Sequence, residues 1–352
     1  MAPLKELLQA YSQAGWLYTE TESSAVRCFA CGHNCLIQPD QRGICQMRTN
    51  DGGILMVPWG YVAALNVDPI EKKPLMHFLP GSGALTFGML GCNFHCDFCQ
   101  NWISSQAMRD PDAASAVNYI QEIELQELVA YAQRSGAASI VSSYNEPLIT
   151  SEWAIGIFTL AHERGLRTAY VSNGFASPEV MTALQPVLDA FKVDLKCMTD
   201  EKYRDLGGRL EVVKDSILRG KELGFWVEVV TLVIPGFNDS EAELHDMADF
   251  LAGVSVDIPW HVTAYYPTYK RQRGSRTGAD ALQRAASIGQ DAGLRYVYAG
   301  NLPGRVGPLE NTYCPRCEKL LVARSGYSIL ENHITADGTC PQCGEAIAGI
   351  WH

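Results

Sequence analysis

Eleven of the chain's twelve cysteines fall into three short groups, and no other feature limits its folding as strongly. Cys28, Cys31, Cys35 and Cys45 come first; Cys92, Cys96 and Cys99 follow; Cys314, Cys317, Cys340 and Cys343 come last. Closely spaced cysteines make disulfide frameworks in short exported chains and hold metals where thiols stay reduced. This chain has 352 residues, and its opening MAPLKELLQAYSQAGWLYTE shows neither an apolar signal core nor a small-residue cleavage site. We therefore expect metal ligation by thiolates in a reducing, cytoplasmic compartment. No apolar run approaches the roughly 20 residues that cross a bilayer, so no membrane partner is expected. A net charge of −11 repels phosphate backbones on average, so nucleic acid is not the expected partner.

Between the outer cysteine groups, apolar runs alternate with helical patterns. ALTFGML (84–90) reads as a strand and IQEIELQELVAYAQR (120–134) as an amphipathic helix. Strand ASIVSSY, helix SEWAIGIFTLAHERG and strand LRTAYVSN follow, and then helix SPEVMTALQPVL, with Ser177 placed to cap it and Pro178 in its first turn. AFKVDLK, FWVEVVTLVI, WHVTAYY and RYVYAG supply further strands with helices between them. This is βα repetition, and six or seven units predict an α/β fold with a partial or full parallel (β/α) barrel. The expected division is a cysteine-rich module and lead-in over 1–80, the barrel over 81–300 and a metal-binding module over 301–352. Barrel active sites lie at the carboxyl ends of the strands. The segments there, GCNFHCDFC, SYNEP, SNG, DLKC, PGFND and YYPTYK, are polar and rich in glycine.

A closed tetrahedral zinc site takes four protein ligands, and a cubane iron–sulfur cluster takes one on each of four irons. Cys92, Cys96 and Cys99 supply three, which leaves one iron open to another ligand. His95 lies inside this loop and reads as a solvated or hydrogen-bonding residue. Cys92-x3-Cys96-x2-Cys99, with Phe98 before the last cysteine at the end of the first strand, resembles the radical S-adenosylmethionine (SAM) superfamily. That resemblance implies a [4Fe–4S] cluster whose open iron is chelated by SAM. It also implies reductive cleavage of SAM to a 5′-deoxyadenosyl radical that abstracts hydrogen from a substrate.

The strand tips then take roles in binding SAM. Glu146 and the carbonyls around Tyr144 and Asn145 are expected at its amino group, where the family carries Gly-Gly-Glu. Ser172 and Asn173 suit its carboxylate or ribose hydroxyls. Asp194 and Lys196, two apart on one strand face, point to one side. Lys196 is placed to hold the carboxylate, or else the two form an internal salt bridge. Val233 and Ile234 are expected as an adenine wall, with Asn238, His261 and Tyr266 beyond. Cys197 is the twelfth cysteine, a candidate hydrogen-atom donor or a buried structural thiol. The stretches CFACGHNCLI, RGICQMR, ALNVDPIEKKPLMHFLPGS, TLVIPGFNDSE and NLPG, with ENTYCPRC, narrow the resemblance. They look like the radical SAM enzyme of the AmmeMemoRadiSam system, a group similar to pyruvate formate-lyase activating enzymes. Relatives are expected to carry His at position 266 and Gly at 197. The resemblance implies an electron donor such as flavodoxin or ferredoxin, Memo-family and AMME-family partners, and a small-molecule or glycyl-protein substrate.

CPRC and CPQC, containing Cys314, Cys317, Cys340 and Cys343, make a closed four-thiolate pattern like a zinc ribbon or rubredoxin. Zinc is the expected ion and iron the alternative. Cys28, Cys31, Cys35 and Cys45 suit zinc or an auxiliary iron–sulfur cluster; zinc is favoured, as a staple for a module too small to build a core. His33 is not needed as a ligand. Two other function classes stand beside the enzyme: a non-catalytic metal scaffold or electron carrier, and an RNA-modifying enzyme whose ribbon holds RNA.

Overall fold

A computed structural model describes residues 2–352, with side chains from Leu4 onward. The chain divides into two compact units, each built from several segments. The first comprises the chain through Asp68, Gly83–Phe191 and Asp200–Phe225; the second comprises Pro69–Ser82, Lys192–Thr199 and Trp226–His352. The fold is mixed α/β with a large parallel sheet.

In the first unit, strand β1 (Gly83–Gly88) is followed by helix α1 (Leu125–Arg134), β2 (Ser139–Ser142), α2 (Ser151–Glu163), β3 (Arg167–Ser172) and α3 (Pro178–Leu184). Strand β4 (Ala190–Asp194) begins in this unit, and α4 (Leu210–Glu222) also belongs to it. β2 pairs in parallel with both β1 and β3. A parallel strand covered on both faces buries every residue, and all four residues of β2 are buried. Helix α2 turns Trp153, Ala154, Ile157, Phe158 and Ala161 inward at helical spacing, and the Trp153 ring meets Phe87 edge-on at 5.3 Å. Ser177 caps α3 by accepting from Val180 N at 3.1 Å. Helix α1 starts five residues later than its apolar pattern predicts, because Gln121 and Glu122 pair with Val62 and Tyr61 in a short antiparallel ladder. At the amino end, Tyr18–Glu20, Val26–Cys28 and Leu36–Ile37 form a small antiparallel sheet over Val26, Ala30, Ile37, Leu55 and Val57.

The second unit carries β5 (Trp226–Val233), α5 (Glu241–Val254), β6 (Trp260–Ala264), α6 (Ala279–Asp291) and β7 (Val297–Gly300). β6 pairs in parallel with β5 and β7. The ribbon adds strands Thr312–Tyr313, Leu320–Ser325 and Ser328–Asn332 over a core of Tyr296, Tyr298, Leu321, Val322 and Ile347. Glu228, near the start of β5, accepts from Met76 N, His77 N, Trp226 Nε1 and His261 Nε2 at 2.6–3.0 Å. A buried carboxylate is tolerated there because four donors replace its water. Among the described residues, no helix is long and apolar enough to cross a membrane.

Candidate active site and metal centres

The loop after β1 carries the three central cysteines. It is tied down from within its own unit. Phe94 O accepts from Gln106 Nε2 at 3.1 Å and from Arg109 Nη1 at 2.8 Å, and His95 N donates to Leu206 O at 3.0 Å. A Cβ at Gly208 would fall 2.3 Å from the Phe94 ring, so only glycine lets the turn before α4 close on the loop. Asn93 and Phe98 are buried and His95 is exposed.

The tips of β2 and β3 converge on Glu146, which is 2% exposed. Its carboxylate accepts from Ser172 Oγ at 2.6 Å, Asn173 N at 2.8 Å and Leu148 N at 3.1 Å. Asn173 Nδ2 in turn donates to Asn93 Oδ1 at 2.7 Å and lies 3.9 Å from Cys92 Sγ. Four residues chosen from sequence alone, Glu146, Ser172, Asn173 and Cys92, are thus brought together, and Asn93 joins them. Asn93 carried no signal beyond its place after Cys92. Asn145 braces the same tip, accepting from Met89 N at 3.0 Å. Tyr144 has a left-handed backbone, φ 69°, unusual for a side chain of its size. Its hydroxyl donates to Asp68 at 3.0 Å and accepts from Asn66 at 3.3 Å. Burial pushes this phenol up to about 12.

In the second unit, Asp194 is gripped from both sides, by Lys192 and, at 3.2 Å, by Lys196. Against desolvation by burial, the two ammonium groups hold its carboxyl at about 2. Lys192 is the residue that the sequence reading missed; its i−2 position on the same strand face was the available signal. Asn238 is fully buried and saturated: it accepts from Ile234 N at 2.7 Å and donates to Lys196 O at 2.7 Å and Leu232 O at 2.9 Å. It staples the turn after β5 rather than presenting an amide to a ligand. Val233 and Ile234 are buried beside it. Tyr266 is exposed, its hydroxyl on Asn301 O at 2.8 Å. His261 lies on β6, second from the start of the strand, with Nε2 on Glu228. Cys197 is fully buried, its thiol directed to Thr199 O at 3.6 Å, which suits the structural alternative.

A model of the radical SAM superfamily matches residues 87–251, the stretch that holds the cysteine loop and the tips of β2, β3, β4 and β5. An uncharacterized protein of Methanocaldococcus jannaschii is 35% identical over 333 residues, covering 94% of this chain and 97% of that protein. The chain belongs to the radical SAM superfamily. The isethionate sulfite-lyase activating enzyme of Oleidesulfovibrio alaskensis is 28% identical over 47% of this chain and 54% of its own length. The pyruvate formate-lyase 1-activating enzyme of Escherichia coli is 28% identical over 49% of this chain and 69% of its own. The chain therefore spans roughly half to two thirds of these activating enzymes. A solved domain of a pyruvate-formate lyase-activating enzyme from Bacteroides vulgatus aligns with 47% of this chain and all of that domain, at 19% identity and TM-score 0.41.

Membership implies SAM and a [4Fe–4S] cluster, and the central loop of this radical SAM enzyme suits the cluster. Cys92, Cys96 and Cys99 are not drawn into a compact set of sulfurs, as a single ion would require. A backbone donor, Phe94 N, points at Cys92 Sγ from 3.3 Å, and Ser105 Oγ lies 3.2 Å from Cys99 Sγ. Burial raises the Cys92 thiol well above its usual range, and a bound cation would favour its thiolate.

The ribbon differs. Cys314, Cys317, Cys340 and Cys343 place all their sulfurs within 4.8 Å of one another, the one such group of three or more ligands among the described residues. Cys314 and Cys343 sulfurs are 3.6 Å apart, and those of Cys317 and Cys340 are 3.7 Å apart. Tetrahedral bonds of about 2.3 Å to one ion put sulfurs roughly 3.8 Å apart. This is a site for a single metal ion. Against desolvation, the N–H groups of Cys343 and Gln342 and the thiols beside it bring Cys340 down to about 7, so one thiolate is in hand near neutrality.

Proposed function

We propose that this enzyme cleaves SAM reductively at the Cys92–Cys96–Cys99 loop and directs the resulting 5′-deoxyadenosyl radical to a hydrogen atom of a substrate. One observation carries the reading: the hydrogen-bonded run from Glu146 through Ser172 and Asn173 to Asn93 and Cys92 joins two strand tips to the cysteine loop. The cluster, when bound, supplies the electron and the open coordination site. The chain's own groups bind and orient. Glu146 and the carbonyls of the β2 tip offer acceptors to an ammonium, while Ser172 and Asn173 offer polar groups to carboxylate or ribose. In the second unit, Lys196 keeps a cation at the β4 tip for an anion. Tyr144, held by Asp68 and Asn66, closes the β2 tip with a bulky ring where smaller residues would leave water.

Relatives named as activating enzymes of two lyases support a glycyl residue of a partner protein as the target. A relative named GTP 3′,8-cyclase, from Aquifex aeolicus and 28% identical over 47% of this chain, supports a small molecule instead. A low-potential donor of the flavodoxin or ferredoxin class supplies the electron, and Memo-family and AMME-family proteins are the partners that the sequence resemblance proposes. The ribbon holds zinc for stability. The test is anaerobic assay of C92A/C96A/C99A: the folded variant should yield no 5′-deoxyadenosine. Continued SAM cleavage would refute the assignment.

A further inference from the structure

We propose that Cys28, Cys31, Cys35 and Cys45 hold a second [4Fe–4S] cluster, in contact with the central site through Asn93, rather than the zinc that sequence alone favours. Its existence is independent of the proposed function; only its role as an electron relay rests on that reading.

The sulfur arrangement is the first ground. In the ribbon, four sulfurs are already gathered for one ion. In the amino-terminal set no three sulfurs lie within 4.8 Å of one another, yet all four line one cavity. Zinc would need sulfurs about 2.3 Å from a common centre, which leaves no space between them. A cubane carries one thiolate on each of four irons, so its sulfurs stand roughly 6 Å apart around a wider centre. Four sulfurs spread around one shared cavity, as in the amino-terminal set, exclude the compact first case and leave room for the second.

Two orphaned donors are the second ground. Arg48 lines this cavity and is 1% exposed. Its Nη atoms are satisfied by Glu152 and by Ile149 O, but its Nε–H is buried with no partner. Asn93 is fully buried, and its Nδ2 is likewise without a partner. Leaving such donors unmade is costly in a folded protein, and sulfides or thiolates of a larger cluster would accept both. Ile44 N, which donates to Cys35 Sγ at 3.5 Å, adds a backbone N–H of the same kind.

Continuity is the third ground. Asn93 follows Cys92 directly. Its carbonyl meets His33 Nε2 at 3.1 Å, and its Oδ1 accepts from Asn173 Nδ2 at 2.7 Å. One buried residue therefore joins the segment between Cys31 and Cys35 to the central loop. On the outer side Cys35 is half-buried and Ile44 is 47% exposed, so a donor can approach. With such a cluster bound, one electron from a low-potential donor would take it from its 2+ to its 1+ state. Passage of that electron inward would return it to 2+ and match the one electron that SAM cleavage consumes.

The experiment uses the full-length chain, expressed and reconstituted anaerobically with iron and sulfide. Wild type should hold about eight irons, eight sulfides and one zinc per chain. C92A/C96A/C99A should keep about four irons and, after dithionite, give a paramagnetic cluster signal that SAM does not change. C31A/C45A should keep the other four and a signal that SAM does change. Two zincs and four irons in wild type, with none in the central variant, would overturn the proposal even if C31A/C45A failed to fold. Failure of the proposed function reads differently: SAM would leave the wild-type signal unchanged while the central variant still retained its iron.

Discussion

Glu146→Gln isolates what the carboxylate between the β2 and β3 tips contributes. Three donors converge on it: Ser172 Oγ and Leu148 N on one oxygen, Asn173 N on the other. An amide has one acceptor oxygen. With that oxygen toward Asn173, the amide nitrogen can donate to Ser172, which also accepts from Gly174 N, but Leu148 N–H is left facing a donor. The reverse orientation strands Asn173 N instead, which is worse because that residue leads to Asn93 and Cys92. The preferred form thus forfeits one buried N–H bond, about 1–3 kcal/mol. At roughly 2–4 °C per kcal/mol for a large domain, melting should fall by about 2–12 °C. Iron at the central site should be retained, because the Asn173–Asn93 contact survives. On the proposed placement of SAM, its affinity should drop roughly ten-fold, about 1.4 kcal/mol, because the charge proposed to meet its ammonium is lost. Differential scanning calorimetry, iron analysis and a SAM titration of the reconstituted protein read the three effects. Unchanged melting together with unchanged SAM affinity would show that Glu146 neither organises the tips nor meets the ligand.

Lys196→Met should cost less than about 1 kcal/mol of stability, because Lys192 remains to pair Asp194; a melting loss well beyond that would make Lys196 the main partner of Asp194. His77 supplies a pH signature: burial, aided by Arg324 and His261 and opposed by Glu228, holds it at about 4, its ring bridging Ala348 O and Tyr298 at 2.6 Å each. A folded pKa below the unfolded value of about 6.5 means the neutral ring is the folded form. Stability is therefore full above pH about 6.5 and falls by about 3 kcal/mol as pH drops toward 4. His77→Gln should flatten that slope in melts across the interval, and an unchanged slope would assign it to other groups.

Much of this protein is local in origin, and that part is legible in the sequence. Strand–helix alternation follows from side-chain periodicity, so the core strands and helices fall where the apolar pattern puts them, apart from the end of α3, four residues early at Leu184, and the delayed start of α1. There a two-residue pairing with Tyr61–Val62 overrides the pattern, and such pairing is set by a distant segment. The central cysteine spacing carries the chemistry because three ligands on one short loop leave one iron open wherever the loop sits. Glu146, Ser172 and Asn173 were readable because strand tips are.

Tertiary structure decided what depends on distance between segments. It set His261 against Glu228 at the start of β6 and saturated Asn238 within its turn. It brought Asn93 between two cysteine groups that are 47 residues apart at their nearest members, Cys45 and Cys92. The two outer cysteine sets look alike as strings, four thiols each. Only packing separates them: the ribbon's pairs of knuckles press four sulfurs together, while Arg48, Ile149 and the amino-terminal sheet hold the other four around a cavity. Ligand type is a property of residues, but the radius of a site is a property of the surrounding core, and that radius distinguishes one ion from a cluster.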